Sequence, residues 1–239
     1  MIYKYKFDIG LQDINFRNQI TNKKILNCLE NAAVKHGDSV GLGMSDLNKS
    51  GLTWMILDWK IEMNRRPIYG DIIEVHTWSK CTNKCYSYRD YEIYVNGERY
   101  GIATSKWLMV DINKGRPARV EEEYISQYKP EPDKSTFDIT EIDKLQEQEE
   151  YERECECIIR KADIDINGHV HNLNYMDMIE ELLSDEERVY DFKDIRVTYK
   201  KEIKFGDEVK CFCHKSDNEY YFIIKSNDGK NINAIIEMR

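Results

Sequence analysis

The groups best able to move protons in this chain are concentrated between residues 160 and 175, RKADIDINGHVHNLNY. Asp163, Asp165, Asn167, His169 and His171 recur at every second position, with Ile164, Ile166 and Val170 between them. In an extended segment that spacing puts the polar groups on one side and the apolar ones on the other. Gly168 should interrupt the ribbon with a bend. A carboxylate, a carboxamide and an imidazole on one side can orient a water, hold a carbonyl and carry a proton. A further carboxylate, Glu202, follows in YKKEIKFGDEV. One isolated histidine or asparagine would be read as a solvated loop residue; the whole array beside a helix start points to a site.

The element that must position the array is the helix after it. Met176, Ile179 and Leu183 fall at helical spacing while Asp177, Glu180 and Glu181 take the other face, so a helix is predicted from Leu173 to about Leu183 with Asn172 as N-cap. Unpaired amides at its start would then meet developing negative charge. Upstream, ECECIIRKADIDI reads as a strand, and downstream so do DIRVTYKKEIKF, DEVKCFCHKS, EYYFIIKSN and KNINAIIEMR.

The first half has the same plan. IYKYKFDI reads as a strand, and Ile25, Cys28, Leu29, Ala32, Ala33 and His36 trace an amphipathic helix of about four turns, with Thr21 as N-cap and Gly37 beyond its last turn. His36 continues the apolar stripe and reads as a packed or capping residue. TWMILDWKIEM, DIIEVHTWSK, CYSYRDYEIYV and RYGIATSKWLMVDI are strands, the last two joined at an Asn96-Gly97 hairpin; Trp54, Trp59, Trp78 and Trp107 on them are core or pocket wall. One helix and several long antiparallel strands imply a curled sheet wrapped on the helix. PIYGDIIEV registers against IKFGDEVKC, so the chain reads as two similar α+β units in tandem. Nothing like DIDINGHVHN is recognised before the first helix, and Arg66 stands where the second copy has Glu202. The expected boundaries are 1–120 for the first unit, 121–150 for an acidic, proline-bearing connector and 151–239 for the second unit.

Composition excludes several classes. A length of 239 residues, 41% of them hydrophobic, supports a sizeable core. No run of 18 apolar residues and no apolar signal core or transit peptide is found, so the expectation is a soluble, cytoplasmic chain without a membrane partner. The net charge is −9, but residues 1–120 carry 18 Lys and Arg against 13 Asp and Glu, and residues 121–156 carry 14 acids against 4 bases. Nucleic acid is an unfavourable partner for such a chain, whereas a small acidic protein can meet the basic half. The seven cysteines read as reduced thiols. A four-thiolate zinc site from Cys155, Cys157, Cys211 and Cys213 is disfavoured because neither pair has the usual loop geometry. No metal ligand set and no cofactor are assigned.

The array D-I-D-I-N-G-H-V-H-N-L-N-Y, the later Y-K-K-E, and the first half's W-x-x-L-x-W-K-I, P-x-x-G-D-x-I-x-V-x-T-W and S-x-W-x-x-x-D segments resemble acyl-acyl carrier protein thioesterases over nearly the whole chain. The resemblance implies two tandem hot-dog domains, each a long helix wrapped by a curved antiparallel β-sheet. It implies hydrolysis of the fatty acyl thioester of acyl carrier protein, with the first domain shaping the acyl pocket and the second carrying catalysis. By motif position the catalytic residues fall on Asp165, Asn167, His169 and Glu202; Asn172, Tyr175 and Trp54 are the candidate substrate-binding residues. The partners implied are an acidic acyl carrier protein, presented through its phosphopantetheine arm, and the fatty acyl chain. Two fused units already bury the interface through which single hot dogs pair, and pairing into a homodimer stays open.

Two positions depart from the family. Ile203 replaces a cysteine common directly after the Glu, and His171 stands where Asn is common. Thioester hydrolysis needs an activated water, an oxyanion site and no metal, since a thiolate leaves readily. Glu202 in a partly apolar pocket is the candidate base, with His169 and Asn167 holding water and carbonyl, Asp165 fixing both, and amides at the second helix start as oxyanion donors. Exchanged roles, with His169 as base and Glu202 as its orienter, fit the residues as well. An acyl-CoA thioesterase and a non-catalytic acyl-binding hot-dog protein are the competing readings. For carrier docking, Arg65, Arg66, Lys114, Arg116, Arg119, Arg196, Lys200, Lys201 and Lys204 are candidate contacts.

Overall fold

The computed structural model describes residues 1–139 and 141–239, so Thr140, within the expected connector, lies outside the described residues. The chain divides into two compact units, Met1–Ile142 and Asp143–Arg239. The first unit runs β1 (Tyr3–Asp8), α1 (Asn22–Ser39), α2 (Met44–Lys49), β2 (Leu52–Met63), β3 (Ile72–Asn83), β4 (Tyr86–Val95), β5 (Glu98–Asp111), β6 (Arg116–Pro117) and α3 (Glu122–Tyr128). Its strands pair antiparallel in the order β1-β3-β4-β5-β2, with β6 on β5. The β4–β5 hairpin turns at Asn96 and Gly97, whose φ values of 52° and 82° are the left-handed pair such a turn demands.

Helix α1 starts where the sequence places it: the Thr21 side chain accepts from the Lys24 amide at 3.1 Å. It ends later than expected. Gly37 is inside the helix, because its carbonyl accepts from the amides of Val40 and Leu42, and an added Cβ would meet the Leu42 carbonyl at 3.0 Å. Ile25, Leu26, Leu29 and Ala32 bury the helix face, and Trp59, Ile61, Val75, Trp78 and Tyr91 are buried on the strands. Segment 121–139 folds back on the first unit. Tyr128 joins Leu42, Leu47 and Met109 in a buried cluster, and Lys134 receives the Trp78 indole N–H on its carbonyl at 3.0 Å. Lys129, with φ 45°, ends α3 before Pro130.

The second unit runs β7 (Arg153–Cys157), α4 (Asn174–Glu180), β8 (Asp194–Tyr199), β9 (Val209–Ser216), β10 (Glu219–Ser226) and β11 (Ile232–Met238), paired antiparallel in the order β8-β11-β10-β9-β7. The predicted long strand into DIDI stops at Cys157. The predicted helix to Leu183 ends at Glu180. A competing motif truncates it: Ser184 and Glu187 form reciprocal cap bonds at 3.3 and 2.9 Å that start a new turn. Arg153 takes the Leu182 carbonyl at 3.0 Å and clamps the buried Glu187 carboxylate, which Lys215 also reaches at 2.9 Å. Leu173, not Asn172, stands at the N-cap and makes no side-chain cap bond, while the His171 Nδ1 just before it accepts the Leu173 amide at 3.3 Å.

His36 is packed, as its place on the apolar stripe requires. It is fully buried, stacks on Tyr3 at 5.3 Å, meets the edge of Tyr128 at 5.2 Å, and its Nδ1 lies 2.8 Å from Arg89 Nη1, where it can only accept. Burial, and then the Arg89 guanidinium, push its pKa down to about 3. The unfolded chain therefore takes up this proton near the ordinary value of 6.5, before the folded one does. Stability should fall as pH drops from about 6.5 toward 3, with a limiting slope of about 1.4 kcal/mol per pH unit from this group. Urea titrations at pH 7 and pH 4.5 should show a smaller loss in His36→Gln than in the wild type; equal losses would contradict the assignment.

Candidate active site

The site begins with a turn. Asp165 donates its amide to the His169 carbonyl at 2.7 Å and its carbonyl accepts from Gly168 at 3.1 Å. Its carboxylate accepts the amides of Asn167 at 2.8 Å and His169 at 3.1 Å. Gly168 takes φ 81°, the bend that its position in the ribbon implies. This closed carboxylate turn corrects the extended reading: the alternating residues do not share one face. Asp163 is buried and held by the Arg160 amide and guanidinium at 2.8 and 2.6 Å, which makes it a structural anchor; Ile166 is 75% exposed.

A second turn meets the first. The Val170 amide donates to the Ile203 carbonyl at 2.7 Å, and His169 bridges Lys204. Glu202 therefore lies in the turn after β8 and not on a strand. Its Oε1 is 3.8 Å from His169 Nε2, with the two side chains 41% and 30% exposed. That separation exceeds a direct hydrogen bond, yet one water at ordinary distances can touch both groups. The expected apolar enclosure of Glu202 is absent, since its carboxylate opens to solvent. Ile203 is fully buried, so its side chain points into the core while the neighbouring carboxylate points out.

Other predicted residues divide. Tyr175 is buried, meets Tyr199 edge-on at 5.5 Å, and receives the Ile203 amide on its hydroxyl. Burial, then the fields of Glu202, Asp207 and Asp165, hold it well above the usual phenol range, so it stays neutral beside the site. Asn172 accepts the Tyr199 hydroxyl on its backbone carbonyl at 3.2 Å. Asn167 is exposed at the turn's tip, its Nδ2 3.4 Å from Asp165. Trp54 belongs to the first unit, where its indole bonds Tyr128 and it packs on the Leu47 cluster. The helix-start amides do not serve as oxyanion donors: those of Leu173, Asn174 and Tyr175 go to His171 Nδ1, the His171 carbonyl and the Asn172 carbonyl.

One positioning residue has no motif to announce it. Asn233, buried on β11, accepts the amides of Lys200 and Lys201 on its carbonyl at 2.8 and 3.2 Å, and its side-chain amide reaches the Lys201 carbonyl at 3.3 Å. It thereby grips the segment that carries Glu202. Only the contact across the sheet reveals it.

The first unit repeats this architecture, which corrects the expectation that nothing before α1 matches the array. A 3-10 turn at Leu11–Asp13 leads into Ile14 and Ile20, bridged like Ile164 and Val170. The Asn15 side chain accepts the amides of Arg17 at 2.9 Å and Gln19 at 3.1 Å, as Asp165 does those of Asn167 and His169. The Ile20 amide donates to Pro67 at 2.9 Å, and Gln19 bridges Ile68. Asp165, Asn167, His169 and Glu202 thus correspond to Asn15, Arg17, Gln19 and Arg66. The same backbone occurs twice, and at these four positions an imidazole and carboxylates stand only in the second unit.

Comparison with known proteins accounts for this pair. Residues 1–128 match the acyl-ACP thioesterase N-terminal domain and residues 145–238 the acyl-ACP thioesterase C-terminal domain. The chain belongs to the acyl-ACP thioesterase family. An oleoyl-acyl carrier protein thioesterase from Arabidopsis thaliana is 28% identical over 225 residues, which span 87% of this chain and 61% of that relative. The chain thus spans about three fifths of the length of such relatives, which are chloroplastic. The crystal structure of an acyl-ACP thioesterase from Bacteroides thetaiotaomicron superposes with a TM-score of 0.89 at 25% identity, covering 99% of this chain and 96% of that one. A 12:0-ACP thioesterase from Umbellularia californica shares the fold, with a TM-score of 0.85 at 17% identity, covering 100% and 96%. The α+β tandem hot-dog architecture expected of this family is the one present. No helix among the described residues is long and apolar enough to cross a membrane.

Because Asn15 accepts the same two amides in the first unit, an amide can replace the carboxylate of Asp165 without opening the turn. Thermal unfolding should show Asp165→Asn close to wild type and Asp165→Ala less stable by about 1–2 kcal/mol. Equal destabilisation by both would contradict the proposed role of the side-chain oxygen.

Proposed function

We propose that this protein hydrolyses the thioester between a fatty acyl chain and acyl carrier protein, releasing free fatty acid and carrier protein, with catalysis in the second unit and the acyl pocket in the first. The observation that carries the reading is the 3.8 Å gap between Glu202 and His169 on a turn braced by Asp165. A water in that gap gives a proton to Glu202 as its oxygen attacks the thioester carbon. Asn167 and His169 donate to the oxyanion, in the role first expected of the helix amides. Collapse breaks the C–S bond, and the departing thiolate recovers the proton. The buried Ile203 side chain supports water as the nucleophile, because a thiol at that position would face the core.

Beneath α1 the apolar side chains of Ile25, Cys28, Met63, Pro67, Ile73, Val75 and Ile93 line a void of about 10 Å³, room for one water-sized sphere. An alkyl chain entering the first unit would have to part this lining. The seven free thiols fit a reducing compartment, here the cytoplasm. Of the basic candidates for docking an acidic carrier, Arg65 is spent on Glu98 at 2.7 Å and Lys114 on Asp111 at 2.8 Å. Lys200, Lys201 and Lys204 are exposed, make no ion pair among the described residues and flank Glu202, so they form the preferred docking patch.

Glu202→Gln and His169→Ala should each lower kcat on acyl-carrier thioesters by at least about a hundredfold with circular dichroism unchanged. Wild-type turnover in either would sink the assignment. Added salt should raise KM steeply for the carrier-protein substrate and little for an uncharged acyl cysteamine thioester. The same salt response with both substrates would remove the docking patch.

A further inference from the structure

Outside the thioesterase site, one group of side chains combines soft donors, mutual proximity and access. Cys155 and Cys157 lie two apart on β7, and Cys211 sits opposite Cys155 on β9. The three sulfurs lie within 4.8 Å of one another, with Cys157 and Cys211 at 2.9 Å. Cys213 faces Arg153 across the same ladder and is not one of the three. A cation bonded to three thiolates at about 2.3 Å spaces them about 4 Å apart, so the Cys157–Cys211 pair, at 2.9 Å, must open by about 1 Å to admit it. Cys211 is buried while Cys155 and Cys157 are half-buried on an edge strand, so the cluster has a buried base and an approach from solvent.

We propose that Cys155, Cys157 and Cys211 bind one thiophilic closed-shell cation, Cu⁺ or Zn²⁺, and so staple the edge strand β7 to β9. The donor set is all thiolate, which selects these ions over hard divalent ones. Each S–H bond that breaks releases its proton to solvent, a metal–sulfur bond replaces it, and no oxidation state changes. The spacing argument against a four-thiolate zinc site does not apply: antiparallel pairing, not a loop, brings these donors together.

The test uses the full chain, purified under reductant and stripped with chelator, and titrated separately with Zn²⁺ and with Cu⁺ against a chromophoric competitor. The expected result is uptake of one equivalent of at least one ion, proton release and a raised Tm. Cys157→Ser, at a half-exposed position, and Cys211→Ser should both lose that equivalent, while Cys85→Ser keeps it. Uptake of neither ion, or uptake unchanged in both Cys157→Ser and Cys211→Ser, would overturn the proposal. So would a Cys157–Cys211 disulfide in protein isolated under reductant.

Discussion

The site depends on one backbone hydrogen bond, from the Val170 amide to the Ile203 carbonyl at 2.7 Å. It joins two turns that are remote in sequence, and through it the imidazole of His169 comes within a water's span of the Glu202 carboxylate. Each turn is rigid on its own account. Asp165 closes the first by accepting two amides, and Asp207 closes the second by accepting the Lys204 amide at 2.8 Å. Asn233 then holds the approach to Glu202 from the sheet side. Side chains placed by the backbone in this way stay in position while remaining partly open to solvent, as the proposed attack by water would require.

The duplicated scaffold separates positioning from chemistry. In the first unit Asn15 closes the turn, Ile20 donates to Pro67, and the amides of Asn64 and Arg65 reach the Tyr100 carbonyl at 2.7 and 3.3 Å, as those of Lys200 and Lys201 reach Asn233. With Gln19 and Arg66 in place of His169 and Glu202, this copy holds no imidazole or carboxylate where the second copy holds both.

Much of this was legible in the residues, and the failures have physical causes. Thr21 was readable as a cap because its side chain competes for a local amide, and Asn96-Gly97 because few residue pairs take two positive φ values. The alternation from Asp163 to His171 misled: it looks like a half-buried strand, but the Asp165 carboxylate turns the backbone back on itself, which no period-2 count detects. The helix after it was read too long because its apolar stripe continues to Leu183, while the Ser184–Glu187 cap and the Arg153 clamp take over from Leu182. The matching loop before α1 escapes a search for DIDINGHVHN because residues 15, 17 and 19 differ from 165, 167 and 169, yet Asp13-Ile14 repeats Asp163-Ile164 and Ile20 stands for Val170. Asn233 carries no local signal, since its partners lie on a neighbouring segment.

In the proposed mechanism Glu202 acts on water held against His169 and does not itself attack the thioester. A rapidly quenched single turnover with enzyme in excess, run in oxygen-18 water and read by mass spectrometry for an acyl group on Glu202 as well as for the label in products and protein, separates the two. The account predicts one heavy oxygen in the released fatty acid and none in the peptide containing Glu202. Heavy oxygen in the Glu202 carboxylate, or an acyl group trapped on it, would contradict the account.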